Sequence, residues 1–222
     1  MFKKKCLVLI AAIGVLPTAH AEGWYASAKL NSAHQKLSDA LLTSPRVTER
    51  VANPDSNKNF SGSFALGYGF AGDWRLEGEY TTRTDGEFDS HWAPFDANVN
   101  RLQVNSQRFM LNGYKDFAVN DWLSFYGMAG VGLAQINAAG YQGNESRRFE
   151  NHRQHNLAYS LGLGAEVKVS KQLSLGAGYR YVALGDIETG YNTFANRINA
   201  RDEQLKGSLS DQNLFLEARI QF

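Results

Sequence analysis

Read in steps of two, the chain alternates apolar and polar positions in eight segments, and in an extended strand successive side chains point to opposite faces. The last segment is the cleanest. Leu214, Leu216, Ala218, Ile220 and Phe222 fall on one face, and Phe215, Glu217, Arg219 and Gln221 on the other. The same period predicts strands over about 24–33, 59–70 and 74–84. In the first, Trp24, Ala26, Ala28 and Leu30 oppose Lys29; in the second, Phe60, Phe64, Leu66, Tyr68 and Phe70 oppose Ser61, Ser63, Ala65 and Gly67. In the third, Trp74, Leu76, Tyr80 and Thr82 alternate with Arg75, Glu77, Glu79, Thr81 and Arg83. A less regular segment over about 104–117 puts Phe109 and Leu111 opposite Arg108 and Asn112. Three more strands are predicted over about 122–136, 157–169 and 173–184, with Glu166, Lys168 and Arg180 on their polar faces.

The connections are of two kinds. Residues 71–73, 118–121 and 170–172 are short turns, whereas 34–58, 85–103, 137–156 and 185–211 are long. Short turns strictly alternating with long segments, over an even number of strands, is the layout of an up-and-down barrel in an outer membrane. Closure removes the sheet edges that lipid could not satisfy. The expected fold is therefore all-β, an eight-stranded antiparallel transmembrane barrel with its apolar face to lipid. The long segments, rich in Asn, Ser, Asp and Arg, are expected as mobile surface loops.

The N-terminus agrees with export. Lys3, Lys4 and Lys5 precede an apolar run from Leu7 to Leu16, then Pro17 and the small-x-small site Ala19-His20-Ala21. The run is too short to span a bilayer and reads as a signal peptide over 1–21, leaving a barrel domain over 22–222. Cys6, the one cysteine, leaves with it, so the mature chain has neither a disulfide nor thiol chemistry. That chain carries 20 basic and 22 acidic residues, a balance that excludes bulk attraction to nucleic acid. The terminal aromatic Phe222 resembles the signal by which such barrels are delivered to the barrel assembly machinery.

Particular stretches carry a resemblance. They are Gly23-Trp24-Tyr25, the run from Phe64 to Phe70, Arg75 to Tyr80, Met110 to Phe117, Gly127 to Leu133, and Gly176 to Tyr181. Together they resemble the opacity-type outer-membrane barrels, and within these the adhesin/invasin branch of Hek, Tia and PagN. The resemblance covers the strands of nearly the whole mature chain and implies the eight-stranded fold. It also implies attachment to host-cell surfaces, in some members through heparan sulfate proteoglycans. The loops match no motif of that branch.

An eight-stranded barrel is just wide enough for its own side chains to fill. Inward charges must therefore pair or stay hydrated. The expected interior network is Arg75, Glu77, Glu79, Arg83, Arg108, Glu166, Arg180, Glu217 and Arg219, with Lys29 and Lys168. A small channel is the competing reading, and arginine bulk and Tyr126 stand against it. The aromatics near strand ends suit headgroup belts.

Catalysis has little to draw on. His34, His91, His152 and His155 all fall in long segments or at their margins, and no serine stands beside them in the pattern of a lipid deacylase. The His152/His155 spacing is too weak to predict a metal, and no cofactor is expected. The basic residues of the long segments are the binding candidates: Lys36, Arg46 and Arg50 in the first, and Arg147, Arg148, His152, Arg153 and His155 in the third. Guanidinium forks match sulfate and carboxylate, so a host glycosaminoglycan is a candidate ligand. Lipopolysaccharide phosphate is another. Apolar residues of these segments, among them Phe149, Tyr191 and Phe194, offer a protein receptor a surface instead. The expected function is that of a non-enzymatic surface adhesin, the alternatives being a structural outer-membrane protein or a small channel.

Overall fold

The computed structural model describes residues 22–45, 48–50, 56–92, 95–196 and 198–222, with the backbone alone at 48–50, 91–92 and 95–98. The signal peptide and Arg46 lie outside the described residues, as does the side chain of Arg50. Among the described residues nine strands follow in chain order: β1 (Gly23–Thr43), β2 (Thr48–Arg50), β3 (Ser56–Phe70), β4 (Trp74–Trp92), β5 (Phe95–Ala118), β6 (Leu123–Gln142), β7 (Arg148–Lys168), β8 (Leu173–Glu188) and β9 (Gln204–Gln221). Each long strand pairs antiparallel with the next, and β1 closes on β9 from Tyr25↔Gln221 to Thr43↔Gln204. Eight strands therefore form a closed barrel, and β2 is a short addition to the end of β1.

The three short turns owe their tightness to local chemistry. Gly72 and Asp73 both take positive φ between β3 and β4, a conformation that glycine adopts freely and aspartate tolerates. The β5–β6 and β7–β8 turns are built alike. In one, Asn120 Oδ1 accepts from the Trp122 and Leu123 amides; in the other, Ser170 Oγ accepts from Gln172 and Leu173. Such side-chain acceptors stand in for a turn's missing backbone partner.

An apolar band rings the outside of the barrel. Trp24, Trp74, Phe117, Trp122 and Phe222 mark its turn-side margin, and Leu30, Tyr80, Phe109, Leu133, Leu157 and Leu214 mark its other margin, all exposed. No helix among the described residues is long and apolar enough to cross a membrane, and the strands do the crossing.

Beyond this band the segments expected as loops are strand for most of their length. The twelve residues of β1 from Ser32 to Thr43 extend about 40 Å along the strand at ~3.3 Å per residue. In this outer half the sheet parts along two lines. β3 and β4 pair only from Ser63↔Thr81 to Phe70↔Trp74, and β7 and β8 only from Tyr159↔Ala183 to Lys168↔Ser174. Beyond those limits Asn57 Nδ2 donates to the Glu87 carbonyl across the first line. Gln154 and Asn156 Nδ2 reach the Asp186 carbonyl across the second.

The outer half is thus two sheets face to face, β8-β9-β1-β3 against β4-β5-β6-β7. Leu37, Leu42, Leu184, Ile187, Leu205 and Leu209 of one sheet pack in a single cluster with Phe88, Leu102, Val104, Ile136 and Phe149 of the other. The apolar residues have changed sides. In the band they face outward, on even numbers in β1 and β9; past it they face inward, on odd numbers such as Leu37 and Leu209, until the β1 bulge between Ser38 and Leu41 brings Ala40 and Leu42 inward on even ones. The reason is the solvent, which is lipid around the band and water above it.

Candidate functional site

Two regions hold the residues singled out by the sequence: the barrel interior and the outer faces of the two sheets. The interior is stacked in layers. Nearest the short turns, Arg75 meets Asp116 through two parallel bonds of 2.7 Å, and Arg219 pairs with Glu166. The Arg75 guanidinium also lies 4.5 Å from the ring centre of Tyr114 and 5.3 Å from that of Tyr126, while Arg219 lies 5.1 Å from that of Tyr25.

The next layer centres on Lys29. Its ammonium is 2.5 Å from Glu77, 2.9 Å from Glu79, 3.1 Å from the Tyr114 hydroxyl and 3.9 Å from Glu217. Arg180 donates to both oxygens of Glu79 at 2.8 and 2.9 Å, and Asn112 and Thr81 add further donors to that carboxylate. Further out, Arg108 Nη1 donates to Asp211 at 2.6 Å and Gln35 to its other oxygen at 3.0 Å. The apolar cluster of the two sheets closes the stack above. Lys29, Glu77, Glu79, Arg108, Arg180 and Asp211 are all buried. The barrel is filled from the turns to the far end.

Two residues expected in this network are placed elsewhere. Arg83 lies on the outer face, its side chain 59% exposed, bonded to Asn105 and 3.6 Å from Asp85. The register of β4 on β5 jumps between Thr81 and Thr84, so the bulge turns Thr84 inward and Arg83 outward. Lys168, at the end of β7, is exposed as well. Two interior acids escaped the sequence reading. Asp211 fell within a presumed loop, and Asp116 lay in the irregular fourth segment, where no clean alternation assigned it a face.

The basic candidates do not form one patch. Arg148, Arg153 and His155 are exposed on β7, and the Arg153 Nε donates to Asn137 on β6. Arg148 is held by the carbonyl and carboxylate of Glu145 at 2.9 and 2.8 Å. Arg147 turns inward, donating to Gln142 and lying 4.2 Å from the ring centre of Phe194. His152 sits at the β7/β8 parting, its Nδ1 3.3 Å from the Glu188 carbonyl. Lys36 belongs to the opposite sheet, at the register of Ser56 and Ser210.

What remains is a polar face over β4–β7. Its rows follow the strand register: Asp85, Asn105, Asn137 and Arg153 in one, Asp89, Arg101, Tyr141 and Arg148 in another. Arg101 grips Asp89 through two bonds of 2.7 Å. The face thus grades from acidic on β4 to basic on β7. Among the described residues no group of His, Cys, Asp and Glu side chains is placed to hold a metal ion.

Comparison with known proteins places this architecture. The chain is 26% identical over 93% of its length to outer membrane protein PagN of Salmonella typhimurium, and covers 93% of that protein. Among solved structures it resembles OprG of Pseudomonas aeruginosa, with a TM-score of 0.62 at 12% identity over 92% of this chain and 99% of that one. It also resembles the outer membrane protease OmpT of Escherichia coli, with a TM-score of 0.52 at 10% identity over 93% of this chain and 99% of that one. At such identities these two structures share the fold alone. The family model described as outer membrane protein beta-barrel domain matches residues 6–201. The protein is therefore a member of the outer membrane β-barrel family, resident in the outer membrane of a Gram-negative bacterium.

Proposed function

We propose that this protein is a non-enzymatic adhesin that holds the bacterium to host-cell surfaces through the outer half of its barrel. The observation that carries the reading is the pairing of a filled interior with a large outer platform. The ion pairs and apolar cluster leave the barrel's own side chains where a conduit would run. Residues that do not serve transport are spent on two sheets raised well above the lipid band. The basic end of the polar face, at Arg148, Arg153 and His155, suits a sulfated host glycan. Guanidinium groups match sulfate oxygens. Lys58, Arg83 and His155, exposed just past the apolar band, suit lipopolysaccharide phosphates, and Phe222 suits recognition by the assembly machinery.

His152 and His155 alternate across β7 and so do not converge on one site. His152 faces Glu188 across the β7/β8 parting, and His155 lies on the outer face at the register of Gln135. The test is attachment. The protein is expressed on a non-adherent Gram-negative host and binding is counted on mammalian cells with and without surface heparan sulfate. Binding is expected to drop when the glycan is absent, when salt is raised, and in Arg148→Gln/Arg153→Gln, because exposed charge contacts are screened. A surface-confirmed wild-type protein that confers no attachment refutes the adhesin reading.

A further inference from the structure

Exposed large apolar side chains mark the lipid band so consistently that exceptions stand out. Among the described side chains, all but two lie in that band or at the short turns beneath it. The two are Tyr191, 54% exposed, and Ile198, 59% exposed, and both belong to the connection between β8 and β9. A single exposed apolar residue is ordinary on a protein surface. Two on the same connection, with none elsewhere above the membrane among the described side chains, call for a reason, and the build of the connection suggests one.

Its polar groups are turned inward on one another. Asn196 Oδ1 accepts from the Ile198 and Ala200 amides at 3.1 and 2.9 Å, and its Nδ2 donates to Asp202 and Glu203. Asn192 Nδ2 donates to the Phe194 and Ala200 carbonyls, and its Oδ1 accepts from the Glu203 amide at 2.7 Å. Asn199 takes a positive φ of 63°, which lets the chain turn directly after Ile198. The connection is also fastened to β7. The Glu150 amide donates to the Tyr191 carbonyl, the Thr193 amide to the Arg148 carbonyl, and Phe194 packs edge-on against Phe149 at 5.8 Å. An ordered segment that presents apolar groups loses little entropy on binding.

We propose that this connection is the element that docks on a host protein, with Tyr191 and Ile198 as its apolar anchors. The complementary surface offers an apolar pocket with acidic side chains beside it, because among the described residues of the connection the exposed charged side chain is Arg201. An aliphatic Ile198 has neither a hydrogen bond nor a π-face to give a sugar, so the partner is a protein and not the glycan chain. The inference rests on the adhesin reading and names a second, independent surface for it, since the glycan-facing arginines lie on β7.

The experiment uses the full chain displayed on a non-adherent host and cultured cells lacking surface glycosaminoglycan, before and after protease treatment. Tyr191→Ser/Ile198→Ser is compared with Arg148→Gln/Arg153→Gln at matched surface amounts, each checked for an intact barrel. The serine pair is expected to lower attachment at least tenfold, which is about 1.4 kcal/mol, and to remove the protease-sensitive part. The arginine pair is expected to leave that part in place. Asn196→Ala, which keeps both anchors and loosens the connection, is expected to fall between. Undiminished attachment by the serine pair overturns the inference while leaving the adhesin reading standing. So does a loss that only tracks a loss of bacterial self-aggregation, which would make the occupant a second copy of this chain. No attachment by the wild type, on cells with or without glycan, overturns the adhesin reading itself.

Discussion

Replacing Arg180 by Met tests whether the interior is a dry stack of mutually dependent charges. Arg180 is fully buried and gives two bonds, of 2.8 and 2.9 Å, to the Glu79 carboxylate. Without it Glu79 keeps Lys29 as its cation, but Lys29 is already 2.5 Å from Glu77 and 3.9 Å from Glu217. Three carboxylates would then share one ammonium. Removing one partner of a buried pair costs about 3–5 kcal/mol. At roughly 2–4 °C per kcal/mol for a chain of this size, the midpoint should fall by about 6–20 °C. Urea unfolding of the barrel in lipid vesicles, followed by tryptophan fluorescence, gives the free energy. The double variant Arg180→Met/Glu79→Met removes both members and is expected to cost less than the two single losses added together, with a coupling of about 1–3 kcal/mol. An Arg180→Met loss below about 1 kcal/mol, or strict additivity in the cycle, would refute the argument and mean that water screens the layer.

Other parts of the structure give sharper contrasts. Arg83→Ala should change stability by no more than about 0.5 kcal/mol in the same urea assay, because its bridge to Asp85 is exposed; a loss of several kcal/mol would return Arg83 to the interior. A Cβ at Gly132 would stand 2.1 Å from the Phe109 carbonyl oxygen and 2.8 Å from the Met110 Cα, whereas one at Gly127 would meet nothing within 4 Å. Gly132→Ala should therefore reduce the folded fraction strongly and Gly127→Ala should not, as read by the fraction of barrel that resists SDS without heating. In planar bilayers the wild type should give no discrete conductance steps, and reproducible steps would show that the stacked layers open a path.

Much of the barrel was legible because lipid imposes a simple rule. The outward faces of 24–30, 74–80 and 214–222 are apolar, and each predicted strand coincides with the membrane-crossing part of an observed one. The interior acids and bases could be named for the same reason, since every polar residue on the opposite face of such a strand points into the barrel. Arg83 escaped because a bulge leaves no mark in a period-two reading. Asp116 and Asp211 escaped because their flanking residues did not alternate clearly.

The strands above the membrane were missed for a deeper reason: the chain changes environment while it remains in one conformation. Along β1, apolar residues stand at 26, 28 and 30, then comes a polar stretch, then Leu37 in the other phase, and Leu42, even-numbered again, is turned inward by the bulge between Ser38 and Leu41. Taken as one pattern this looks like the end of a strand. Taken as two, it is one strand passing from lipid, where the apolar face must look out, into water, where it must look in. β9 repeats the inversion from the other direction, with Leu205 and Leu209 buried and Leu214 and Leu216 exposed. The residues between the phases carry the polar inner layer, including Gln35, Arg108 and Asp211, where neither face is apolar. A phase change of this kind across a polar interval therefore separates a strand that continues past the membrane from one that ends in a loop. It also moves the search for a binding surface. The outer half is a two-sheet platform, so the surfaces it offers for contact are the polar face of β4–β7 and the fastened connection between β8 and β9.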